Sequence, residues 1–313
     1  MPRSEAGAAA DRPTHALSRR GLLVGAGAAA ALPALGGVAY AHDSDDGDRD
    51  RRVTVSASAD RVTLSRTRVP AGVVTLDIGT TAAKAAPGLL RLRAGTTIDS
   101  FLDAYEQTGS PDPATRAAAI ARIDTEAEYL GGAAVNQASG RIQSVAWLTP
   151  GTYYVFNYGS VGTPGFRASA PRLDVTAPGR STGHTPRPTA TIAYYDAGPD
   201  GHYLLPARFP RCGTFLIANQ TEQINEVMFL PLLPTATDAD VAAWVAAIRN
   251  HTVPPPAPFA GGPAGAAPLT AGFTNLVQWS FPRGRYMVTS FMSNRRTQVK
   301  RAFEGMYSIV ELV

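Results

Sequence analysis

Near the C-terminus six cations fall within nineteen residues: Arg283, Arg285, Arg295, Arg296, Lys300 and Arg301, with no acid until Glu304. Arginine forks match the oxygens of phosphate or carboxylate groups, so a cluster of this kind can hold an anion. Exposed charge runs also simply stay hydrated, and a solvated loop is the competing reading. On either reading Arg295, Arg296, Lys300 and Arg301 should be exposed, with Glu304 the only acid close enough in sequence to neutralise them. Other reactive side chains are sparse. Cys212 is the single cysteine, which excludes an intrachain disulfide; it reads as a small strand residue before a catalytic thiol. His184, His202 and His251 fall in a linker, a turn and a helix end, where surface residues are the default. Gly159-Ser160-Val161-Gly162 lacks the spacing of a nucleophile elbow, and no phosphate loop or dinucleotide fingerprint occurs. Nothing in these patterns argues for an enzyme.

The N-terminus bears on location. Arg19 and Arg20 form a twin-arginine pair ahead of an uncharged, Ala/Gly/Leu-rich run that ends in Ala39-Tyr40-Ala41, a small-x-small cleavage pattern. Residues 1–41 thus read as a twin-arginine export signal, which predicts a secreted or envelope-associated protein with no membrane span after cleavage. Pro33 and the glycines of the run make a poor permanent anchor. The mature chain would carry 25 basic and 23 acidic residues, a balance that does not suggest a nucleic-acid partner. Residues 42–52 contain no apolar side chain and read as a disordered charged tail.

The elements that must position the cationic loop show an internal repeat. Val53, Val55 and Ala57 alternate with polar residues, and Pro70-Ala71-Gly72 leads into the apolar run 73–78. The same order recurs with Gly213 standing 141 residues after Gly72. Leu89-Leu90-Arg91-Leu92 corresponds to Phe229-Leu230-Pro231-Leu232, and each precedes a short amphipathic helix. Ile98, Phe101, Leu102 and Tyr105 form the apolar face of the first, and Val241, Trp244, Val245 and Ile248 that of the second. Thr97 and Thr237 are the expected N-caps. Pro150-Gly151-Thr152-Tyr153 matches Pro282-Arg283-Gly284-Arg285-Tyr286 as a turn entering a strand. An Ala-rich stretch from Arg116 to Tyr129 reads as helical, and the Pro/Gly/Ala segment from Val253 to Pro268 as a long loop. The expected organisation is a first domain at 53–176, a linker at 177–190 and a second domain at 191–313.

Each half resembles the cupredoxin-like, plastocyanin-related domains of exported proteins of high-GC Gram-positive bacteria. The likeness rests on the Pro-x-Gly opening, the Leu-rich strand before the helix, the Pro-Gly-x-Tyr turn and, in the second half, Gly305-Met306-Tyr307. It implies an all-β fold with short inserted helices, built as two tandem Greek-key β-sandwiches. Blue-copper chemistry needs two imidazoles, a thiolate and a weak axial thioether. At the positions where the resemblance would place them, the second half has Asn225, Ser290, Arg301 and Met306, and the first has Ala85, Asn157, Phe166 and Pro171. The copper loop persists with its ligands degenerate, so no cofactor is expected. His42 would become the mature N-terminus, which leaves adventitious copper binding there open. The expected function is a non-catalytic binding or structural module of the envelope, with an anionic cell-wall polymer or lipid head groups as its partner. A copper carrier or electron-transfer protein is the alternative, and an extracellular enzyme the third.

Overall fold

The computed structural model describes residues 49–313 except 60, 180, 181 and 199. Arg19, Arg20, Ala39 and Ala41, read as parts of an export signal, and His42 behind them lie outside the described residues. The first half runs β1 (Arg52–Ala57), β2 (Val62–Leu64), β3 (Arg68–Pro70), β4 (Gly72–Thr80), β5 (Lys84–Ala85) and β6 (Pro87–Leu92). Two helices follow, α1 (Ile98–Gln107) and α2 (Pro113–Thr125), then β7 (Ala127–Asn136), β8 (Ile142–Leu148), β9 (Gly151–Asn157) and β10 (Arg172–Thr176). The second half repeats the order with β11 (Ala190–Ala197), β12 (Asp200–Leu204), β13 (Cys212–Gln220), β14 (Asn225–Pro231) and α3 (Asp238–Arg249). It closes with β15 (Ala264–Leu269), β16 (Thr274–Ser280), β17 (Gly284–Thr289) and β18 (Tyr307–Leu312).

The architecture is the expected all-β class with short inserted helices. In β1 the residues Val53, Val55 and Ala57 are buried and their neighbours are not, the period-two pattern of a strand with one face on a core. β1 pairs parallel with β4 and antiparallel with β2, and β11 does the same with β13 and β12. The two halves share their sheets. One sheet of eight strands runs β12-β11-β13-β16-β8-β4-β1-β2, and one of ten runs β18-β17-β14-β15-β7-β6-β9-β10-β3 with β5 beside β7. They are joined where β8 pairs with β16 and β7 with β15. The central pairs there are Val145 with Leu276 and Ala133 with Ala266. Because Gly72 pairs with Leu148 as Gly213 pairs with Trp279, Val145 and Leu276 are counterparts in the repeat. Ala133 and Ala266 are counterparts by the same logic, so an internal pseudo-two-fold axis passes through both pairs. Gly132 and Gly265 precede them at left-handed φ of 96–154° alongside Gly131, where a Cβ would strike a strand carbonyl: Pro87 O at 2.4 Å and Val227 O at 2.2 Å.

This junction corrects two expectations. Residues 264–268, read as the end of a long loop, belong to the fully buried strand β15 (Ala264–Leu269) between β14 and β7. Its Ala and Gly side chains are small because sheet from the other half lies against it, and Pro268 sits where the register with β14 shifts, so its missing N–H costs no ladder bond. Arg51, placed in the charged tail by composition, is 3% exposed, with Nε donating to Ala71 O at 3.2 Å. All the described residues fall in one compact unit.

Three apolar clusters follow from the layering. The largest lies between the sheets and includes the stack Phe215, Trp279 and Phe281, with centroids 4.3 and 5.2 Å apart. The other two lie on the outer face of the ten-stranded sheet, one under α1 and α2 and one under α3. The helix aromatics are thus core: Phe101 packs on Phe156 at 5.8 Å, and Trp244 on Phe259 at 5.0 Å. Each such burial contributes on the order of 2 kcal/mol. No helix among the described residues is long and apolar enough to cross a membrane.

Candidate functional site

Asn225 opens β14, Ser290 follows the last residue of β17, Arg301 begins a 3-10 turn (Arg301–Glu304), and Met306 precedes β18. The fold brings the four together. Asn225 Nδ2 lies 3.4 Å from Met306 Sδ, Ala302 N donates to Ser290 O at 2.8 Å, and Met306 N donates to Arg301 O at 3.0 Å. Gly201 on β12 lies against the group: a Cβ there would stand 2.7 Å from both Arg301 Nη1 and Met306 Sδ. Arg301 is 4% exposed, and its Nη1 is 2.8 Å from Asp196 Oδ1 of β11. Its Nε has no hydrogen-bond partner among the described residues. The donor set here is an amide, a hydroxyl, a thioether and a permanently charged guanidinium. A guanidinium has no lone pair to give and repels a cation, and Met306 alone cannot hold copper, so these residues do not fit the metal.

The cationic loop is arranged otherwise than expected. Arg301 is buried rather than exposed, because its side chain occupies the interior position described above. Glu304 does not neutralise the loop arginines; it accepts from Asn294 Nδ2 at 2.8 Å and from Thr297 Oγ1. The counter-charges come from elements remote in sequence. Arg295 lies 3.5 Å from both Asp124 of α2 and Glu222, and Arg296 Nη2 is 2.6 Å from Glu222. Lys300 Nζ lies over the Phe291 ring at 5.8 Å. Arg285 instead pairs with Asp238 at the start of α3 and, with Arg283, lines a separate pocket. The six cations therefore do not form one patch.

Cys212 is exposed at the start of β13. His202 stacks on Tyr195 at 5.6 Å, His251 follows α3 with φ of 55°, and His184 is exposed in the segment between the halves. Among the described residues no group of three or more His, Cys, Asp or Glu could hold a metal ion.

A second feature lies on the other face of β14. A cavity of about 570 Å³ opens between the α1–α2 hairpin and the 291–300 loop, with Ala134 and Met228 of the sheet and Ala86 between β5 and β6 on its floor. Glu226 lines it and is 2% exposed. Tyr158 Oη donates to Glu226 Oε2 at 3.0 Å and Phe291 N donates to Oε1 at 2.8 Å. Burial pushes the carboxyl up to about 7, against the opposing pull of these two donors and of Lys300. Tyr158 is itself held well above the usual phenol range by burial and by the nearby Glu226 charge. The roof is tied to the floor by Ile224 N, which donates to Asp124 Oδ1 at 2.8 Å. Neither Glu226 nor Tyr158 was singled out by residue pattern. The available signal was a lone acid heading the apolar run Val227-Met228-Phe229-Leu230.

No protein-family model and no curated protein matches the chain. Among solved structures it is similar to auracyanin B at 15% identity, covering 42% of this chain and 93% of that one with a TM-score of 0.24. It is also similar to the McoA multicopper oxidase of Aquifex aeolicus, at 10% identity over 83% of this chain and 65% of that one with a TM-score of 0.24. The copper-containing nitrite reductase of Thermus scotoductus is similar at 9% identity over 84% of this chain and 61% of that one, with a TM-score of 0.23. Likenesses this distant say nothing of activity, and the architecture above rests on the strand pairing itself.

Proposed function

We infer that this chain is an exported, cupredoxin-fold binding protein of the cell envelope in which the copper position has become a structural lock. The observation that carries the reading is Arg301: a guanidinium paired with Asp196 fills the place where a copper loop would present an imidazole. Export is supported by the twin-arginine pair and the Ala39-Tyr40-Ala41 cleavage pattern. Copper titration of the natively exported protein tests it. The unmodified protein should develop no thiolate-to-copper charge-transfer band. The triple variant Asn225→His, Ser290→Cys, Arg301→His should gain one. Stoichiometric tight copper in the unmodified protein, lost on changing Met306, would instead support a copper carrier. An anionic polymer would have to compete with Glu222 and Asp124 for Arg295 and Arg296. Retention on isolated cell walls at two salt concentrations, compared with an Arg295→Ala, Arg296→Ala, Lys300→Ala variant, measures that competition.

A further inference from the structure

The cavity on the outer face of the ten-stranded sheet has the size range of small-molecule sites, about 300–1,000 Å³, and a wall chemistry that the copper position lacks. Ile120 and Ile123 of α2, Met228 of β14, and Phe291 and Met292 of the following loop supply apolar surface. Its charged and phenolic groups are Tyr105 of α1, Asp124 of α2, Lys84 of β5, Tyr158 after β9, and Arg295 and Lys300 of the loop. Tyr194 and Tyr203 approach from the other side of β14, where they donate to Asn225 O at 3.1 Å and Glu226 O at 2.9 Å. These groups do not stand at equal depth. Lys84, Arg295 and Lys300 are exposed residues, and Arg295 is already engaged by Asp124 and Glu222. Glu226 is buried, and each of its oxygens has one donor with lone-pair capacity left over. A buried carboxylate that keeps acceptor capacity beside an apolar chamber lacks a counter-charge the protein does not bring to that depth.

We propose that this cavity binds an apolar amine, with the ammonium group donating to Glu226 and the hydrocarbon body packed against Met228, Phe291, Met292 and the α2 isoleucines. An ammonium entering there stabilises the ionised carboxylate and forms a charge-assisted hydrogen bond out of water. A ligand carboxylate would meet like charge at the floor, and its attraction to the lysines would be spent at the solvated mouth. With burial raising the Glu226 carboxyl to about 7, amine affinity should fall on the order of 30-fold from pH 8 to pH 5.5, while an alkylammonium stays charged throughout.

Three probes with one body and different heads test this: phenethylamine, phenethyl alcohol and phenylacetate, titrated calorimetrically into the full mature protein at both pH values. The amine should bind at least tenfold tighter than the alcohol at pH 8, with phenylacetate weakest. Glu226→Gln should remove both the preference for the amine and the pH dependence. Methyl-labelled methionine provides a second readout that needs no variant: the amine should shift Met228 and Met292 and leave Met306 unmoved. The proposal is overturned if phenylacetate binds best, if Glu226→Gln leaves amine affinity unchanged, or if no probe shifts Met228 and Met292. It does not depend on the lock reading, because copper entering the Asn225–Met306 position would shift Met306 whether or not any amine binds.

Discussion

In the first half the loop between β9 and β10 closes on an apolar side chain, Phe166, whereas in the second the loop between β17 and β18 closes on a charge, Arg301. Asn157 Oδ1 accepts from Ala86 N at 2.8 Å and from Gly159 N at 3.2 Å, which ties off the end of β9 locally. Phe166, 1% exposed, packs edge-on to Phe156 at 5.5 Å in the cluster under α1 and α2. In the second half the matching loop turns inward on Arg301, and the closing contact is an ion pair to β11. One strand order thus tolerates two ways of closing this loop. The difference teaches where specificity resides: an apolar plug only needs volume, but a buried guanidinium needs its partner at one place.

Removing either closure should produce the largest effects. Phe166→Ala empties a fully enclosed site and should cost about 4 kcal/mol in urea unfolding. Asp196→Ala leaves Arg301 buried without its counter-charge and should cost about 3 kcal/mol. The comparison sharpens in the double variant Asp196→Leu, Arg301→Met, which gives the second half an apolar closure like the first. It should recover most of the loss seen in Asp196→Ala and fall below the parent by no more than about 1 kcal/mol if ion pairing and packing are interchangeable there. A loss as large as the single variant's would show that the ion pair specifies the loop.

The next effect concerns Glu226, a charge on the second half's β14 where the counterpart position in the first half, just ahead of β6, is the buried Ala86. Its folded-state carboxyl is raised to about 7 from 4.5. Below pH 4.5 both folded and unfolded chains hold the proton and the group costs nothing. Between 4.5 and 7 the unfolded chain ionises first, so stability falls as pH rises, and above 7 the loss levels off on the order of 3 kcal/mol. Glu226→Gln keeps the shape and removes the titration. It should be more stable than the parent at pH 8, equal to it near pH 4, and flat between, as followed by thermal melts across that range.

Much of the architecture was legible in the sequence because its signals are local. Alternation marks β1, helix-period faces mark α1 and α3, and the two Pro/Gly turns mark entry to β9 and β17. The strand β15 was hidden because Ala264-Gly265-Ala266-Ala267-Pro268 has none of the bulk that marks a buried strand, and its small residues make sense only against β7 of the other half. Arg301 could be aligned to the copper loop but not placed, since its partner Asp196 is 105 residues away. Glu226 was invisible as a site for the same reason: the cavity exists because a helical hairpin from the first half roofs a strand of the second.

The smallest predicted effect compares the two helix starts. Thr97 and Thr237 each accept from the backbone N–H three residues on, at 3.2 Å in both cases. Only Thr237 has the reciprocal contact, with Asp240 accepting from Thr237 N at 2.8 Å and from its hydroxyl at 2.7 Å. That contact, led by the backbone hydrogen bond, holds the Asp240 carboxyl below its usual range. At position 99 the first helix has an acid, but its N3 residue is Ser100, which cannot complete a box by charge. Thr→Ala at either cap should cost on the order of 1 kcal/mol, with Thr237 the larger because two donors at the start of α3 lose their acceptors together. Urea midpoints of the two variants give the order directly. Equal losses would mean that packing of α3 on its sheet, through Val241 and Val245, fixes the helix start whatever its cap.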